Sequence, residues 1–387
     1  PDGTVVNGWP VHVEHPVEPE FEASGEVNRY EDRIIASPAI CNLFGDGRPF
    51  VILGTTERLE NQSNVFLYAI SPEGMADPNG PFAPGWPTTV TGFIPDEILP
   101  FVGRGNPNSP VCADFDDDGM DEVVNAGMGG NMVVMQEDGS YDSMTGVMNS
   151  TSEYYGPNAT SDETFSLPVI NNPSVGDLNG DGFLDIINGT AGSGLIAVAS
   201  QGGKRNNFDH SVSAWDSDNT AFLNGFPHRV WDYQFFMNYI IADLDGDGVS
   251  NSISGDGGYF VYAPDATGRE ADGFPKFTGG WNFATPAVGD VDGDNLIDVV
   301  TDTREGWLWM WRTAGHVGGK KGQKTAAIQW ASYLHDAHHS GNIGTPLPVR
   351  PYLPSKSSDE PGCGCTATSD PAMPTWALWV VPTLLVV

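Results

Sequence analysis

Four nine-residue stretches carry acidic or amide side chains at alternate positions between glycines: "DFDDDGMDE" (114–122), "DLNGDGFLD" (177–185), "DLDGDGVSN" (243–251) and "DVDGDNLID" (290–298). Positions 1, 3, 5 and 9 of each hold Asp, Asn or Glu, and the glycines let the chain fold sharply around whatever the side chains enclose. So dense a set of hard oxygens asks for a hard cation. Calcium takes about six to eight oxygens in irregular geometry, whereas magnesium wants a tight octahedron and keeps water, so calcium is the expected ion. An EF-hand would also need a bidentate Glu at position 12; that residue is Asn125, Asn188, Ser254 or Thr301, and none of the four is an EF-hand. Paired carboxylates can act as acid and base on a glycoside, but acids repeated in glycine turns are better explained as metal ligands. No GxSxG elbow, phosphate loop, HExxH or Cys/His pair occurs.

The context of the loops repeats as well. A short "SPAI", "SPVC", "NPSV" or "TPAV" segment precedes each turn, and a β-rich run such as "DEVVNAG", "DIINGT" or "DVVTDT" follows. An alternating segment comes next ("NVFLYAI", "NMVVMQ", "YFVYAP", "GWLWMW"), then a "GWP" or "GFP" element at Trp86, Phe226 and Phe274. That makes four strands per unit. In "GWLWMW" the alternation puts Trp307, Trp309 and Trp311 on one face and Leu308 and Met310 on the other, which predicts a strand buried on both sides. Such units stack radially, so the expected fold class is all-β: a β-propeller of four-stranded blades, five of them visible. "AAIQWASY" near residue 330 is expected to supply the last outer strand. "DGTVVNGWPVHV" at the start reads as an outermost strand that either completes the last blade or belongs to a blade upstream. The second is preferred, which implies a six- or seven-bladed parent.

These residues resemble the FG-GAP or VCBS-type repeats of integrin α-chain propellers and their bacterial relatives, which carry the same "DxDGDGxxD" hairpin between the first two strands of a blade. The resemblance covers residues ~1–345. It implies calcium held by side chains at positions 1, 3, 5 and 9 and by a main-chain carbonyl at position 7. The ligands implied here are Asp114, Asp116, Asp118 and Glu122; Asp177, Asn179, Asp181 and Asp185; Asp243, Asp245, Asp247 and Asn251; and Asp290, Asp292, Asp294 and Asp298. Asn251 replaces the last carboxylate, so the third site is expected to be weaker, and Asn295 replaces the sixth-position glycine. In a fifth copy, "NLFGDGRPF" at 42–50, Phe44 and Phe50 replace two ligands, and that hairpin is expected to turn without metal.

The formal charge of −34, from 51 acidic against 17 basic residues, argues against a nucleic-acid or anionic-membrane surface. Cys41 and Cys112 sit in matching segments but one position out of phase, which predicts two buried free thiols. The cluster "YLHDAHHSGNIG" could bind a transition metal through His335, Asp336, His338 and His339, but reads better as a closing segment in which Asp336 bonds local backbone. Residues 231–239 and the insert 149–165 are the expected recognition loops.

A Pro/Ser-rich linker (346–362) leads to a Cys motif and hydrophobic tail (363–387), apolar from Trp376 onward except Pro382 and Thr383. The tail resembles MYXO-CTERM sorting signals, with Cys363 and Cys365 matching the processed cysteines. The basic cluster of that signal is missing, and truncation at both ends is expected. The resemblance implies a secreted protein held at a bacterial surface by its tail, which would be its membrane contact. The expected function is non-enzymatic adhesion or binding of an extracellular protein or glycan, stabilised by about four calcium ions; the alternative is a carbohydrate-active propeller, a lectin or polysaccharide lyase.

Overall fold

The computed structural model describes residues 3–13, 34–55, 64–91, 106–126, 132–140, 147–148, 171–189, 210–216, 222–232, 234–317 and 327–347. The chain divides into two units, Pro1–Val349 and Arg350–Val387. The second unit lies outside the described residues, as do the Cys motif, the apolar tail and the insert 149–165.

Among the described residues the alternating β-branched and aromatic segments form five antiparallel sheets. The first has the order β1 (Ala39–Cys41), β2 (Phe50–Gly54), β3 (Asn64–Ile70), β4 (Thr88–Thr91), and the second β5 (Val111–Ala113), β6 (Glu122–Ala126), β7 (Met132–Met135), β8 (Val147–Met148). The third repeats that order with β9 (Ser174–Gly176), β10 (Asp185–Gly189), β11 (His210–Asp216) and β12 (His228–Val230). The fourth does so with β13 (Ile240–Ala242), β14 (Asn251–Gly255), β15 (Phe260–Tyr262) and β16 (Lys276–Phe277). The fifth has three strands, β17 (Ala287–Gly289), β18 (Leu296–Asp302) and β19 (Leu308–His316).

Register is conserved from sheet to sheet. The residue before position 1 of each loop pairs with position 9: Ala113 with Glu122, Gly176 with Asp185, Ala242 with Asn251, Gly289 with Asp298, and in the degenerate copy Cys41 with Phe50. Every strand residue of β5, β6, β7, β9, β10, β13 and β14 is buried, so the middle sheets are covered on both faces.

The "GWP" element locks one sheet to the next. Trp86 donates its indole N–H to Glu137 O (2.9 Å), beyond β7 in the following sheet, and Gly225 N–H donates to Ala266 O (2.9 Å), beyond β15. The glycine is there because backbone approaches it closely. A Cβ on Gly85 would stand 1.9 Å from Asp138 O, and one on Gly225 would stand 1.9 Å from Gly268 N. Residues 3–13 form no strand, yet they meet the first sheet in the same way: Trp9 donates to Pro72 O (2.9 Å), and a Cβ on Gly8 would lie 1.9 Å from Glu73 O.

The outermost strand expected at "DGTVVNGWPVHV" is thus not formed, and three further expectations need correction. "AAIQWASY" supplies no outer strand; it forms β20 (Ile328–Trp330), which pairs antiparallel with β13, the first strand of the fourth sheet. The tryptophan strand is covered on one side only. Trp309 and Trp311 pack inward, Trp309 donating to Thr278 O (3.1 Å) and Trp311 meeting Phe274, while Leu308 is 76% and Met310 49% exposed. Apolar residues on both faces gave the expectation, but this strand belongs to a sheet at the end of the series. Finally, Cys41 and Cys112 form a disulfide, with Cα atoms 5.8 Å apart. The one-position offset is no obstacle, because β1 and β5 lie in different sheets and share no ladder that would force them into register.

Gly225→Ala is expected to cost on the order of 2 kcal/mol by overpacking. Gly289→Ala, whose Cβ would meet nothing within 4 Å, should stay within about 0.5 kcal/mol. Denaturant unfolding in saturating calcium checks the pair, and equal midpoints would remove the inter-sheet lock.

Candidate metal centres

The four acidic hairpins share one backbone. Positions 4 and 6 are left-handed in each: Asp117 (φ 61°) and Gly119 (88°), Gly180 (80°) and Gly182 (93°), Gly246 (76°) and Gly248 (97°), Gly293 (83°) and Asn295 (68°). Asp and Asn are the non-glycine residues that tolerate this region best, which is why the two departures from glycine preserve the turn.

Within that turn the first aspartate gathers backbone donors. Asp177 accepts from Gly180 N–H (2.6 Å) and Gly182 N–H (3.1 Å), Asp243 from Gly246 (2.7 Å) and Gly248 (3.0 Å), and Asp290 from Gly293 (2.7 Å) and Asn295 (3.1 Å). In the first loop Asp114 accepts from Asp118 (3.1 Å) and Gly119 (3.0 Å). The fifth-position carboxylate binds the N–H two residues on: Asp118 to Met120, Asp181 to Phe183, Asp247 to Val249, Asp294 to Leu296.

Position 9 is buried in all four copies and uses one oxygen for the N–H at position 2: Glu122 to Phe115 (2.8 Å), Asp185 to Leu178 (2.8 Å), Asn251 to Leu244 (3.0 Å), Asp298 to Val291 (2.9 Å). The second oxygen of Asp298 is buried with no hydrogen-bond partner, and so is one oxygen of Asp245. An orphaned buried carboxylate oxygen amid further carboxylates is costly unless a cation completes it. In Asn251 the corresponding atom is an amide nitrogen, which donates to Ala263 O (3.3 Å) and cannot ligate a metal. The third loop therefore offers one ligand fewer.

Potential ligand atoms of Asp114, Asp116 and Glu122, of Asp243, Asp245 and Asp247, and of Asp290, Asp292 and Asp294 lie within 4.8 Å of one another. Asp118 and Asp298 stand outside these trios, and the acids of the 177–185 loop form none; there Asn179 and Asp181 bond each other (2.9 Å). Burial, then the surrounding carboxylates, pushes Glu122 up to about 7; Asp185 rises to about 7 from the same causes. Burial followed by Asp247 and Asp243 raises Asp245. These donors suit a hard divalent cation, which would relieve the repulsion.

The fourth loop carries a counter-charge of its own. Arg312, on β19, bonds Asp292 and places Nε 2.7 Å from Asp294 Oδ2. In the degenerate copy, Phe44 and Phe50 occupy positions 3 and 9 and pack edge to face at 5.2 Å, and Asn42 accepts Gly47 N–H (3.0 Å).

The histidine cluster does not converge. His335 is buried, stacks edge-on against Trp330 (5.1 Å) and meets Asp336 Oδ2 through Nδ1 (3.2 Å); His338 and His339 are exposed. Asp336 accepts from His338 N–H (2.5 Å) and Ser340 Oγ (2.5 Å), the local backbone bonding expected of it. Burial alone would raise the Asp336 carboxyl, but donation from Ser340, His338 and His335 outweighs it and holds the group below its ordinary value.

No protein-family model matches the chain, and no curated protein does. Among solved structures it is similar to the V. cholerae biofilm matrix protein Bap1 (16% identity, TM-score 0.45, covering 81% of this chain and 44% of that one). It is also similar to rhamnogalacturonan lyase YesW (19%, 0.42, 80% and 43%) and the Bacillus licheniformis rhamnogalacturonan lyase PL11 (14%, 0.41, 76% and 51%). The chain spans about half the length of these structures or less. Likenesses this distant bear on neither activity nor ligand.

Two outcomes are expected. Without cation, Glu122 and Asp185 hold protons in the folded state that they lose in the unfolded state, so their contribution to stability is present below the ordinary carboxylate range and is lost as pH rises through about 7. Thermal unfolding in EDTA should therefore fall between about pH 5 and about pH 8, and saturating calcium should abolish that fall. Arg312→Gln should tighten one calcium site in a chelator-competition titration, because the guanidinium no longer competes for Asp292 and Asp294; unchanged affinities would show that it does not occupy the cation's place.

Proposed function

We propose that the chain is a calcium-stabilised β-propeller, built of FG-GAP-like repeats, that acts outside the cell as a non-catalytic scaffold for adhesion or ligand binding. The observation that carries this reading is the recurrence of one hairpin, in one register, between the first two strands of successive sheets, with three acidic trios gathered in it. Each ion would pin a turn that folding must otherwise close against carboxylate repulsion, so binding contributes directly to fold stability.

The sheet series supports the propeller. The "GWP" contact repeats between sheets, and Gly8 and Trp9 meet the first sheet as Gly85 and Trp86 meet the second. The Cys41–Cys112 disulfide supports an oxidising location, where calcium is also abundant. Among the described residues no helix is long and apolar enough to cross a membrane, so attachment rests on the resemblance of the tail.

Calcium titration of the full chain, followed by thermal unfolding, tests the reading. Calcium should raise the midpoint, EDTA should lower it, and Asp298→Ala should remove about one bound equivalent by calorimetry. An EDTA-insensitive midpoint would defeat the calcium scaffold. Release of unsaturated oligosaccharides from an acidic polysaccharide would replace binding with lyase activity.

A further inference from the structure

We propose that the loops at the end of the strands opposite the metal hairpins form a binding site for a neutral glycan, seated on Trp231, Trp281, Phe283 and Phe277. The inference deepens the scaffold reading and rests on it. Chain direction places the site: β13 and β17 run toward their metal loops, so the segments entering them, 231–232 with 234–239 and 278–286, lie at the other end together with the β14–β15 and β18–β19 turns.

That end exposes aromatic rings in unusual density. Trp231 is 75% exposed, Phe277 61%, Trp307 51%, Phe283 46% and Tyr259 42%. The rings form two groups, with the Gly257–Gly258 turn between them. Trp231 stacks on Phe260 (6.5 Å), Phe260 meets Phe277 (5.4 Å), and Trp281 meets Phe283 (5.6 Å) and Phe235 (6.1 Å). Beside Trp281 and Phe283 opens a cleft of about 360 Å³, completed by Ala284, Asp302 and Arg304. Exposed rings rimmed by a few polar groups mark a ligand surface.

The rings are also held in place. Asp256 is buried and accepts N–H groups of Trp231 (2.9 Å), Asp232 (3.1 Å) and Phe260 (3.0 Å) and the hydroxyl of Tyr262 (3.0 Å). Glu305 accepts Trp281 N–H (2.7 Å) and pairs with Arg304 (3.2 Å), which lies over the Trp281 ring. Gly257 and Gly258 keep the turn between the two tryptophans open, since a Cβ there would stand 3.2 Å from Trp281 Nε1 or 2.8 Å from Trp231 Cβ. A surface prepared before binding avoids the entropy of ordering it.

Chemistry selects the occupant. A pyranose presents C–H faces that lie on aromatic rings and hydroxyls that bond carboxylate and guanidinium, the groups Asp302 and Arg304 supply. A polyanion would meet Asp232, Asp302 and Glu305 on a chain of formal charge −34. A cationic peptide would meet the Arg304 guanidinium in the cleft and find Asp256 and Glu305 already engaged.

The test is affinity electrophoresis of the calcium-loaded full chain in neutral glucan, mannan, xylan and galactan, with pectate and alginate as anionic arms. Retardation by at least one neutral polysaccharide is expected. It should weaken about tenfold or more in Trp231→Ala/Phe283→Ala, the loss expected of aromatic anchors, and persist in Phe183→Ala, an exposed ring at the metal end. Unfolding midpoints of the variants separate lost binding from lost fold. Retardation by no neutral polysaccharide, retardation by the anionic arms alone, undiminished binding in the double variant, or a dimer that this variant dissolves would each overturn the proposal. Failure of the scaffold reading is distinguishable, because it shows in the EDTA midpoint and not in the gel.

Discussion

The first strands of the sheets must find partners for backbone groups that no second strand reaches, and one segment, residues 327–345, supplies them. It pairs with β13 through β20, accepts Val288 N–H at Ala331 O (2.9 Å), accepts Ile40 N–H at Ser340 O (2.8 Å), and exchanges bonds with Cys112 through Gly341 O and Ile343 N–H. Gln329 bonds both N and O of Asp177 (2.8 Å each). All five sheets are thereby tied to one stretch of chain, at buried positions where an unpaired backbone group would be costly. Trp330, His335 and Asp336 belong to this structural role: ring packing and a closed hydrogen-bond set fix the tight turn at Leu334 (φ 49°) and His335 (φ 77°).

A second tier of bonds runs along the entries to the same strands. Ser37 N–H donates to Ser109 Oγ (2.9 Å), Ser109 N–H to Asn172 Oδ1 (2.7 Å), Asn172 N–H to Met237 O (3.0 Å), and Asn238 N–H to Thr285 Oγ1 (3.0 Å). The sheets are thus held in sequence at one end by side-chain amides and hydroxyls, while the other end carries the carboxylate hairpins. The two ends differ in what they need. The amide end draws its partners from neighbouring segments of the chain, whereas the hairpins bring like charges together, which in the fourth loop Arg312 compensates.

The hairpins and the four-strand unit were legible because both are local: the spacing of Asp and Gly dictates the turn, and period-two alternation dictates the strand. What was not legible depends on which sheet a segment meets. Trp307 to Trp311 read the same whether a neighbour covers one face or both. "AAIQW" has ordinary strand composition, and nothing local says that its partner is β13, 86 residues earlier at Ile240 to Ala242. Repeat phase carries no information on the distance between Cys41 and Cys112, because β1 and β5 share no ladder. The buried asparagines were missed for a different reason. Asn106 bonds Asn125 (2.7 Å), Asn108 reaches Ala126 O (2.6 Å) and Asn238 reaches Pro173 O (2.7 Å), yet asparagine is ordinarily a surface residue. Their signal is an Asn just ahead of "SPVC", "NPSV" and "YIIA", though not of "SPAI", and composition reads it as loop.

The position-9 residue ties the metal chemistry to the sheets. It is at once the first or third residue of a strand and a buried member of the loop, so one of its oxygens organises the turn, and in the first loop Glu122 also joins the acidic trio. Replacing it by Asn, as at 251, leaves the turn bond intact and converts the other atom from acceptor to donor. The fold tolerates that exchange because Ala263 O accepts the new N–H; a cation would not, since an amide nitrogen, whose lone pair is delocalised, cannot take the place of a carboxylate oxygen. Turn geometry and metal affinity are therefore separable within one residue. The hairpin itself does not require carboxylates at these positions: at 42–50 the same turn is made with Phe44 and Phe50 packed against each other at positions 3 and 9.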